Sequence, residues 1–361
     1  MARIVIIGGG FAGSSAAKCL EKDKNIGVTL IDTKDYFEFT PGILRALIYP
    51  KHFKRIKAMH SDYLKNTEVI NGEVIELKKN SLIVNFKKKK KSINFDYCLI
   101  SSGSSYDSPI KDYKLVIASR IEEISHYHDR LESAKEVLII GGGLVGVELA
   151  GEILSRYKDK KITIIDPHDR LMDRQNAKAQ KYAEKYLRKK AEIILGDKIA
   201  RVDKGKYFTK NGLKLNPDIA FFCTGIRPNF SFLKKNFSRQ LNGKGKIKVN
   251  SFLQIKESEN IFAAGDICDI DQEALAQNAE IMGKLAASNI SRKLKNKKMK
   301  RYKAKPRMMV ISLGRFNGLI TYKNIAISGL IAAFMKWGIE TWFMLGLKGI
   351  IPWLLQARLQ R

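Results

Sequence analysis

The sequence predicts an α/β protein built on two Rossmann-like dinucleotide-binding domains and completed by a C-terminal α+β segment. Three observations carry that expectation. A strand, glycine turn and helix are written into residues 2–17; the same device returns at 136–152; and a basic stretch near residue 300 leads into a long apolar run.

In the first copy the apolar run Ala2–Ile7 meets Gly8-x-Gly10-x-x-Gly13, with Phe11 and Ala12 inside the turn and Ser14–Ala17 opening a helical pattern. This layout lets backbone N–H groups approach a pyrophosphate at a helix N-terminus. Asp32 closes the next apolar run, Val28–Ile31, nineteen residues past Gly13, where its carboxylate can accept hydrogen bonds from a ribose. A lone glycine fingerprint also marks ordinary turns; strand, helix and acid together read as a nucleotide cradle.

An aromatic loop follows, Tyr36-Phe37-Glu38-Phe39-Thr40-Pro41-Gly42, and then a basic segment from Lys51 to Lys57. Residues 68–100 read as extended, with apolar positions at Val69, Val74, Ile75, Leu77 and 82–84, and with Lys87–Lys91 as a solvated hairpin tip. Phe95–Ile100 is a buried strand running into Ser101-Ser102-Gly103-Ser104, small residues suited to close passage against a ligand.

The second copy is Glu136–Ile140 followed by Gly141-x-Gly143-x-x-Gly146, with Ile162–Ile165 ending in Asp166 twenty residues past Gly146. Two complete fingerprints are far more specific than one, and the chain is expected to bind two dinucleotides. Asp218–Cys223 enters another small-residue turn at Thr224-Gly225, residues 242–260 read as the return from an insert, and Asn260–Ala264 ends in Gly265-Asp266 before a helical stretch from Glu273 to Lys293. Asp266 suits a polyol hydroxyl; a plain helix cap is the alternative. The expected domains are 1–112 with 240–300, then 113–239, then a segment at 301–361.

Global composition narrows the function. The 361 residues carry a net charge of +30, which implies attraction to a polyanion or simply lysine-rich solvated surfaces. Cys19, Cys98, Cys223 and Cys268 lie far apart, so neither a disulfide framework, a zinc site nor a redox dithiol is indicated, and no metal is expected. Three consecutive glycines break the signal-peptide pattern at the N-terminus, which points to a cytoplasmic start. No run of eighteen uncharged apolar residues appears, which argues against a spanning helix.

The order Gly8-x-Gly10-x-x-Gly13, Ser102-Gly103, Gly141-x-Gly143-x-x-Gly146, Thr224-Gly225, Gly265-Asp266 resembles the two-dinucleotide-binding flavoprotein superfamily over residues 1–300, a glutathione-reductase-like pairing. Ala276-Gln277-Asn278-Ala279 is similar to the helix that borders the quinone pocket in type II NADH dehydrogenases. Ile311-Ser312-Leu313-Gly314-Arg315 resembles the corresponding region of the ferroptosis-suppressing, apoptosis-inducing-factor-like quinone reductases. Ser101-Ser102-Gly103 stands where Ala-Thr-Gly is usual.

The resemblance implies FAD in the first unit and NAD(P)H in the second. Gly8, Gly10, Phe11, Ala12, Gly13, Asp32, Thr40, Pro41, Val74, Ser102, Gly103, Gly265 and Asp266 would hold the flavin. Gly141, Gly143, Gly146, Asp166, Thr224 and Gly225 would serve the nicotinamide nucleotide. It also implies catalytic roles for Glu148, Gln277 and Lys348. Glu148, placed in the first turn of the second helix, is either the family's glutamate at the nicotinamide–flavin contact or an acid stabilised by the helix end. Asp166 favours NADH, because a 2′-phosphate would face a carboxylate, while His168, Arg170 and Arg174 leave NADPH open.

The acceptor follows from the tail. Ser291–Arg307 holds ten basic residues and no acid, and Ile325–Lys348 then reads as an apolar helix with Lys336 and Glu340 in a narrow stripe. All three tryptophans fall after residue 336, and Pro352 opens a last short helix with Trp353, Leu354 and Leu355. Tryptophan and basic flanks suit an anionic membrane surface; the alternative is a helix pair packed on the body or on a second subunit, which leaves a homodimer open. The expectation is a peripheral quinone oxidoreductase at the cytoplasmic face of a membrane, its tail facing the lipid. A soluble NADH oxidase or ferredoxin reductase is the rival. Nucleic acid is disfavoured, since the basic runs lack interleaved aromatics.

Overall fold

The structure, a computed structural model, describes residues 1–86, 89–106 and 117–350. The tip lysines Lys87 and Lys88 and the expected helix at Pro352 lie outside the described residues.

Two parallel sheets organise the chain. The first has five strands in the order Ile261–Ala263, Tyr97–Ile100, Ala2–Ile7, Ile26–Asp32, Thr67–Asn71. The second has four, ordered Ala191–Leu195, Lys161–Asp166, Glu136–Ile140, Ile219–Phe222. Both run as near-continuous apolar stretches because helices or other layers cover both faces; Ile4, Val5, Ile6, Ile139 and Ile164 are buried. Each glycine turn leaves the central strand of its sheet. Asp32 and Ser101–Gly103 therefore flank Gly8, and Asp166 and Cys223–Gly225 flank Gly141, at the strands' carboxyl ends where such sheets bind ligands.

Glycine is required at particular points of these turns. Gly8 and Gly141 have φ of +97° and +112°. A Cβ on Gly13 would strike the Gly8 carbonyl oxygen, and one on Gly146 the Gly141 carbonyl oxygen, so each helix folds directly back on its turn. The Ala276–Leu294 helix packs along the Phe11–Leu20 helix with Gly283 pressed on the Ala12 backbone.

The tail departs from the expected pattern in two respects. Ile325–Ser328 is the third strand of an antiparallel sheet with Met309–Ser312 and Gly318–Tyr322, not the start of a helix. Gly329, at φ +102°, turns the chain, and the helix runs Leu330–Leu347. The sheet docks on the Leu144–Arg156 helix of the second unit: a Cβ on Gly151 would sit 2.6 Å from the Leu313 Cα, and one on Gly314 2.7 Å from the Gly151 carbonyl oxygen. The eighteen residues Leu330–Leu347, with mean hydropathy 1.3, are long and apolar enough to cross a membrane, contrary to the composition argument above. That argument demanded a run free of charge, whereas this helix carries Lys336 and Glu340 and satisfies both against the protein body.

Candidate active site

The first cradle is held from below by polar bonds. Asp32 Oδ2 accepts from the Gly9 N–H at 2.5 Å, and Oδ1 accepts from the Lys34 N–H at 3.0 Å. His60, fully buried, places Nε2 3.6 Å from Asp32 Oδ2, while its Nδ1 lies 2.5 Å from the Tyr63 hydroxyl. Tyr63 in turn meets Ser14 Oγ at 2.7 Å, and Ser14 donates to the Gly9 carbonyl oxygen at 2.7 Å. Burial pushes the Asp32 carboxyl upward, but the neighbouring His60 imidazole, with the Lys34 charge and N–H behind it, outweighs that, and the group titrates below its ordinary range. It is a carboxylate at neutral pH, ready to accept from hydroxyls.

Above this floor the turn is open. Among the described residues, a Cβ on Gly10 or Gly103 meets no atom within 4 Å, and no side chain caps the Phe11–Leu20 helix. Gly265, at φ +87°, lies between Ala12 and Ala279, bringing Asp266 to the junction of two helices, where it accepts from Ser104 Oγ at 2.7 Å. Thr40 and Pro41 form a single 3₁₀ turn, and Val74 is a buried strand residue opposite Val84. Open glycine turn, uncapped helix and carboxylate together fit FAD.

The second cradle repeats the first. Asp166 Oδ2 accepts from the Gly142 N–H at 2.5 Å, Gly143 faces open space, and the Leu144–Arg156 helix has no side-chain cap. Asp166 Oδ1 also accepts from His168, from its N–H at 2.9 Å and at 2.7 Å from Nδ1. That bond raises the His168 pKa despite a little desolvation. Gly225, at φ +110°, faces open space beside the solvent-exposed Thr224. The two units are joined at their strand ends: Ser102 Oγ donates to the Asn229 carbonyl oxygen at 2.8 Å, and Ser104–Ser105 pairs with Arg227–Pro228.

A cluster of charges lies where both units meet the tail. Glu148 and Glu152, one helical turn apart, point toward it. Glu148 Oε1 accepts from Lys336 Nζ at 2.7 Å and from the Ser312 N–H at 2.7 Å. Glu152 Oε1 accepts from Arg45 at 2.7 Å and from Ser312 Oγ at 2.6 Å. Burial opposes the Arg45 charge, but Glu152 more than compensates, and its pKa is raised. On the next turn of the tail helix Glu340 meets His52, Oε2 to Nε2, at 3.1 Å. Together with Pro41, Gly42 and Leu44 the cluster lines a cavity of about 10 Å³, room for one water.

The expected site residues divide on this map. Glu148 belongs to the cluster, but the helix starts at Leu144, so Glu148 lies just past the first turn; a lysine and a backbone amide hold it, not the helix end. Gln277 is half-buried at the start of the Ala276–Leu294 helix, two residues before Ala279, which borders Gly265. Lys348 is exposed at the end of the tail helix, three turns beyond Lys336 and outside the cluster. Arg45, His52, Glu152, Ser312 and Lys336 were not singled out as site residues. The sequence signals were the Ile311–Arg315 motif around Ser312, two charges on an apolar helix and two glutamates four apart; their partners are far off in the chain. Burial raises Cys98 and Cys268 well above the ordinary thiol value and Cys223 to about 12, so these three are thiols and not thiolates at neutral pH.

The tail helix presents a different surface outward. Leu330, Ile331 and Phe334 are 55%, 69% and 65% exposed, and Ile325 and Ile327 extend the patch onto the neighbouring strand. On the inner side Phe343 packs among Phe11, Phe37 and Phe39 with ring centroids 5.1–5.5 Å apart, and Lys18 caps the helix through the Leu347 carbonyl oxygen at 3.0 Å.

Two nucleotide cradles joined at their strand ends, one fitting a flavin, define an NAD(P)H-dependent flavoprotein oxidoreductase. The family model for pyridine nucleotide-disulphide oxidoreductases matches residues 2–283, and the chain belongs to that family, whose members bind FAD and NAD(P)H. It is 34% identical to apoptosis-inducing factor homolog A of Dictyostelium discoideum, over 92% of this chain and 88% of that protein. It is 27% identical to mouse ferroptosis suppressor protein 1, over 92% of each. Its fold matches the sulfide:quinone oxidoreductase of Aquifex aeolicus (TM-score 0.82, 18% identity, 97% and 92% covered). It also matches NDH2 of Plasmodium falciparum in complex with NADH (TM-score 0.80, 16% identity, 97% of each chain).

Proposed function

We propose that the chain is a peripheral membrane NADH:quinone oxidoreductase. The observation that carries this reading is the two-sided tail helix: Lys336 and Glu340 on its inner side meet the helix of the second cradle and the loop of the first, and Leu330, Ile331 and Phe334 on its outer side are open to solvent. A contiguous apolar patch of this kind is costly in water and suits lipid. The ten basic residues of Ser291–Arg307 favour an anionic headgroup layer, here assigned to the cytoplasmic face. A lipid-dissolved oxidant is the acceptor that such a placement serves, and the solved relative from Aquifex acts on a quinone by its name.

FAD, when bound, relays two electrons between the nicotinamide and the acceptor. The chain's own part is positional. Asp32 and the Gly8–Gly13 turn hold the nucleotide end, Asp266 a polyol hydroxyl, and Asp166 the donor's ribose, which favours NADH over NADPH. Glu148, fixed by Lys336 and Ser312, borders the point where donor and flavin approach, and Gln277 and Lys348 lie toward the acceptor side. The 10 Å³ cavity takes a water and no quinone ring, so the acceptor enters from the tail face.

Anaerobic NADH oxidation by the FAD-loaded protein, with and without a short-chain quinone, tests the reading. Quinone-dependent turnover supports it; turnover only with oxygen or a protein acceptor overturns it.

A further inference from the structure

The geometry points to the His52–Glu340 pair as the proton donor to the acceptor, with the carboxyl at the cavity wall and the imidazole behind it. This rests on the quinone-reducing reading above. The two residues lie 288 positions apart in the chain, and both side chains are 8% exposed. Glu340 borders the cavity shared with Glu148, Glu152 and Lys336, and a Cβ on Gly42 would lie 2.8 Å from its Oε2. Burying a carboxyl and an imidazole costs desolvation, and an apolar pair of similar shape would dock the helix as well or better. An apolar pair holds no proton.

The reaction consumes one. NADH delivers a hydride, which is two electrons and one proton, whereas a quinone takes two electrons and two protons to become a hydroquinone. The balance is NADH plus one proton plus quinone giving NAD⁺ plus hydroquinone. In the proposed step the O–H bond of the Glu340 carboxyl breaks as a water in the cavity takes that proton and passes one of its own to the reduced quinone's oxygen, so that an O–H bond of the hydroquinone forms and Glu340 is left as the carboxylate. His52 then takes a proton from water to become an imidazolium, and its Nε2–H passes to that carboxylate, leaving His52 neutral again. The carboxylate left by the transfer is matched by the imidazolium as soon as His52 takes up its proton, so no unmatched charge persists in the pair.

The surroundings single out this pair. Across the cavity, Arg45 is matched to Glu152, and Lys336, one turn away on the tail helix, is matched to Glu148. On the His52 segment Lys51 and Lys54 are exposed, and Arg55 reaches Thr341 at 3.5 Å and stacks over Trp337. Arginine and lysine hold their protons near neutrality, and a histidine is the group suited to exchange one there.

Glu340→Gln keeps the shape and a hydrogen bond to His52 but carries no acidic proton. In FAD-loaded protein the rate with a short-chain ubiquinone analogue is compared with that for ferricyanide, which takes electrons without protons. The quinone-to-ferricyanide ratio should fall about 10²-fold, the scale of general-acid catalysis. The wild-type quinone rate should decline at high pH, where the acid is spent, and that limb should vanish in Glu340→Gln. His52→Gln should lower the ratio less, with partial rescue by added imidazole. Apart from turnover, the His52 titration followed by NMR of ¹⁵N-histidine-labelled protein should move in Glu340→Gln, and this readout stands even if the variant loses FAD. A wild type that reduces ferricyanide but no quinone overturns the quinone reading, and the inference with it. A quinone-active wild type whose Glu340→Gln variant keeps the ratio and the pH profile, or whose His52 titration does not move, overturns the inference alone.

Discussion

Lys336 Nζ and Glu148 Oε1 lie 2.7 Å apart although 188 residues separate them in the chain. Their bond ties the tail helix to the helix that opens from the second glycine turn. With side chains only 16% and 13% exposed, the pair is shielded enough for its electrostatics to matter.

A double-mutant cycle on Lys336→Met and Glu148→Gln measures that tie. The coupling energy should be about 2 kcal/mol, because either single change leaves a shielded partner unmatched. Urea denaturation of the four proteins gives the number, and a coupling near zero makes the contact incidental.

Gly10→Val and Gly13→Val should fail differently. A Cβ at Gly10 meets no atom of the described residues within 4 Å, so that variant should fold with unchanged circular dichroism and lose its yellow FAD. A side chain at Gly13 strikes the Gly8 carbonyl, so that variant loses the fold as well. Retention of FAD by Gly10→Val contradicts the assignment of the cradle.

Donor choice should depend on pH through His168. Its pKa is raised by the Asp166 bond, so the imidazolium and the stability it lends are present at low pH and lost as pH rises through the folded value. When neutral it no longer offsets Asp166, and the NADH/NADPH ratio of kcat/KM should rise toward alkaline pH. His168→Asn should flatten this dependence, and Asp166→Ala should narrow or reverse the preference. A wild type that strongly prefers NADPH contradicts it.

Much of this was legible in the chain, for reasons that vary by element. The cradles announce themselves because backbone sterics demand glycine at Gly8, Gly13, Gly141 and Gly146, and because each acid ends a strand. The charge cluster does not. Arg45, Glu152, Ser312 and Lys336 come from four segments, and nothing local to any of them encodes the partner. Lys348 carries the same charge as Lys336, yet three turns of helix separate a half-buried ion pair from an exposed side chain. The tail strand at Ile325 was hidden by composition: apolar residues run on both sides of Gly329, and only its positive φ divides strand from helix. The packing of Phe343 against Phe11 was equally invisible, and it makes deletion of the tail a poor test, since the first cradle would be uncovered too.

The central claim, that the tail's outer face delivers the enzyme to a membrane-held quinone, is tested most directly with Ile331→Glu/Phe334→Glu. Both side chains are exposed, so the double variant should fold and keep FAD. The measurement is NADH oxidation by a long-chain quinone in anionic vesicles, set against a short-chain quinone in buffer. Wild type should bind the vesicles, more weakly as salt rises, and use both acceptors. The variant should keep the buffer rate and lose at least about tenfold on the vesicle quinone, the order expected when two apolar side chains no longer enter lipid. A variant that reduces the vesicle quinone at the wild-type rate contradicts the account.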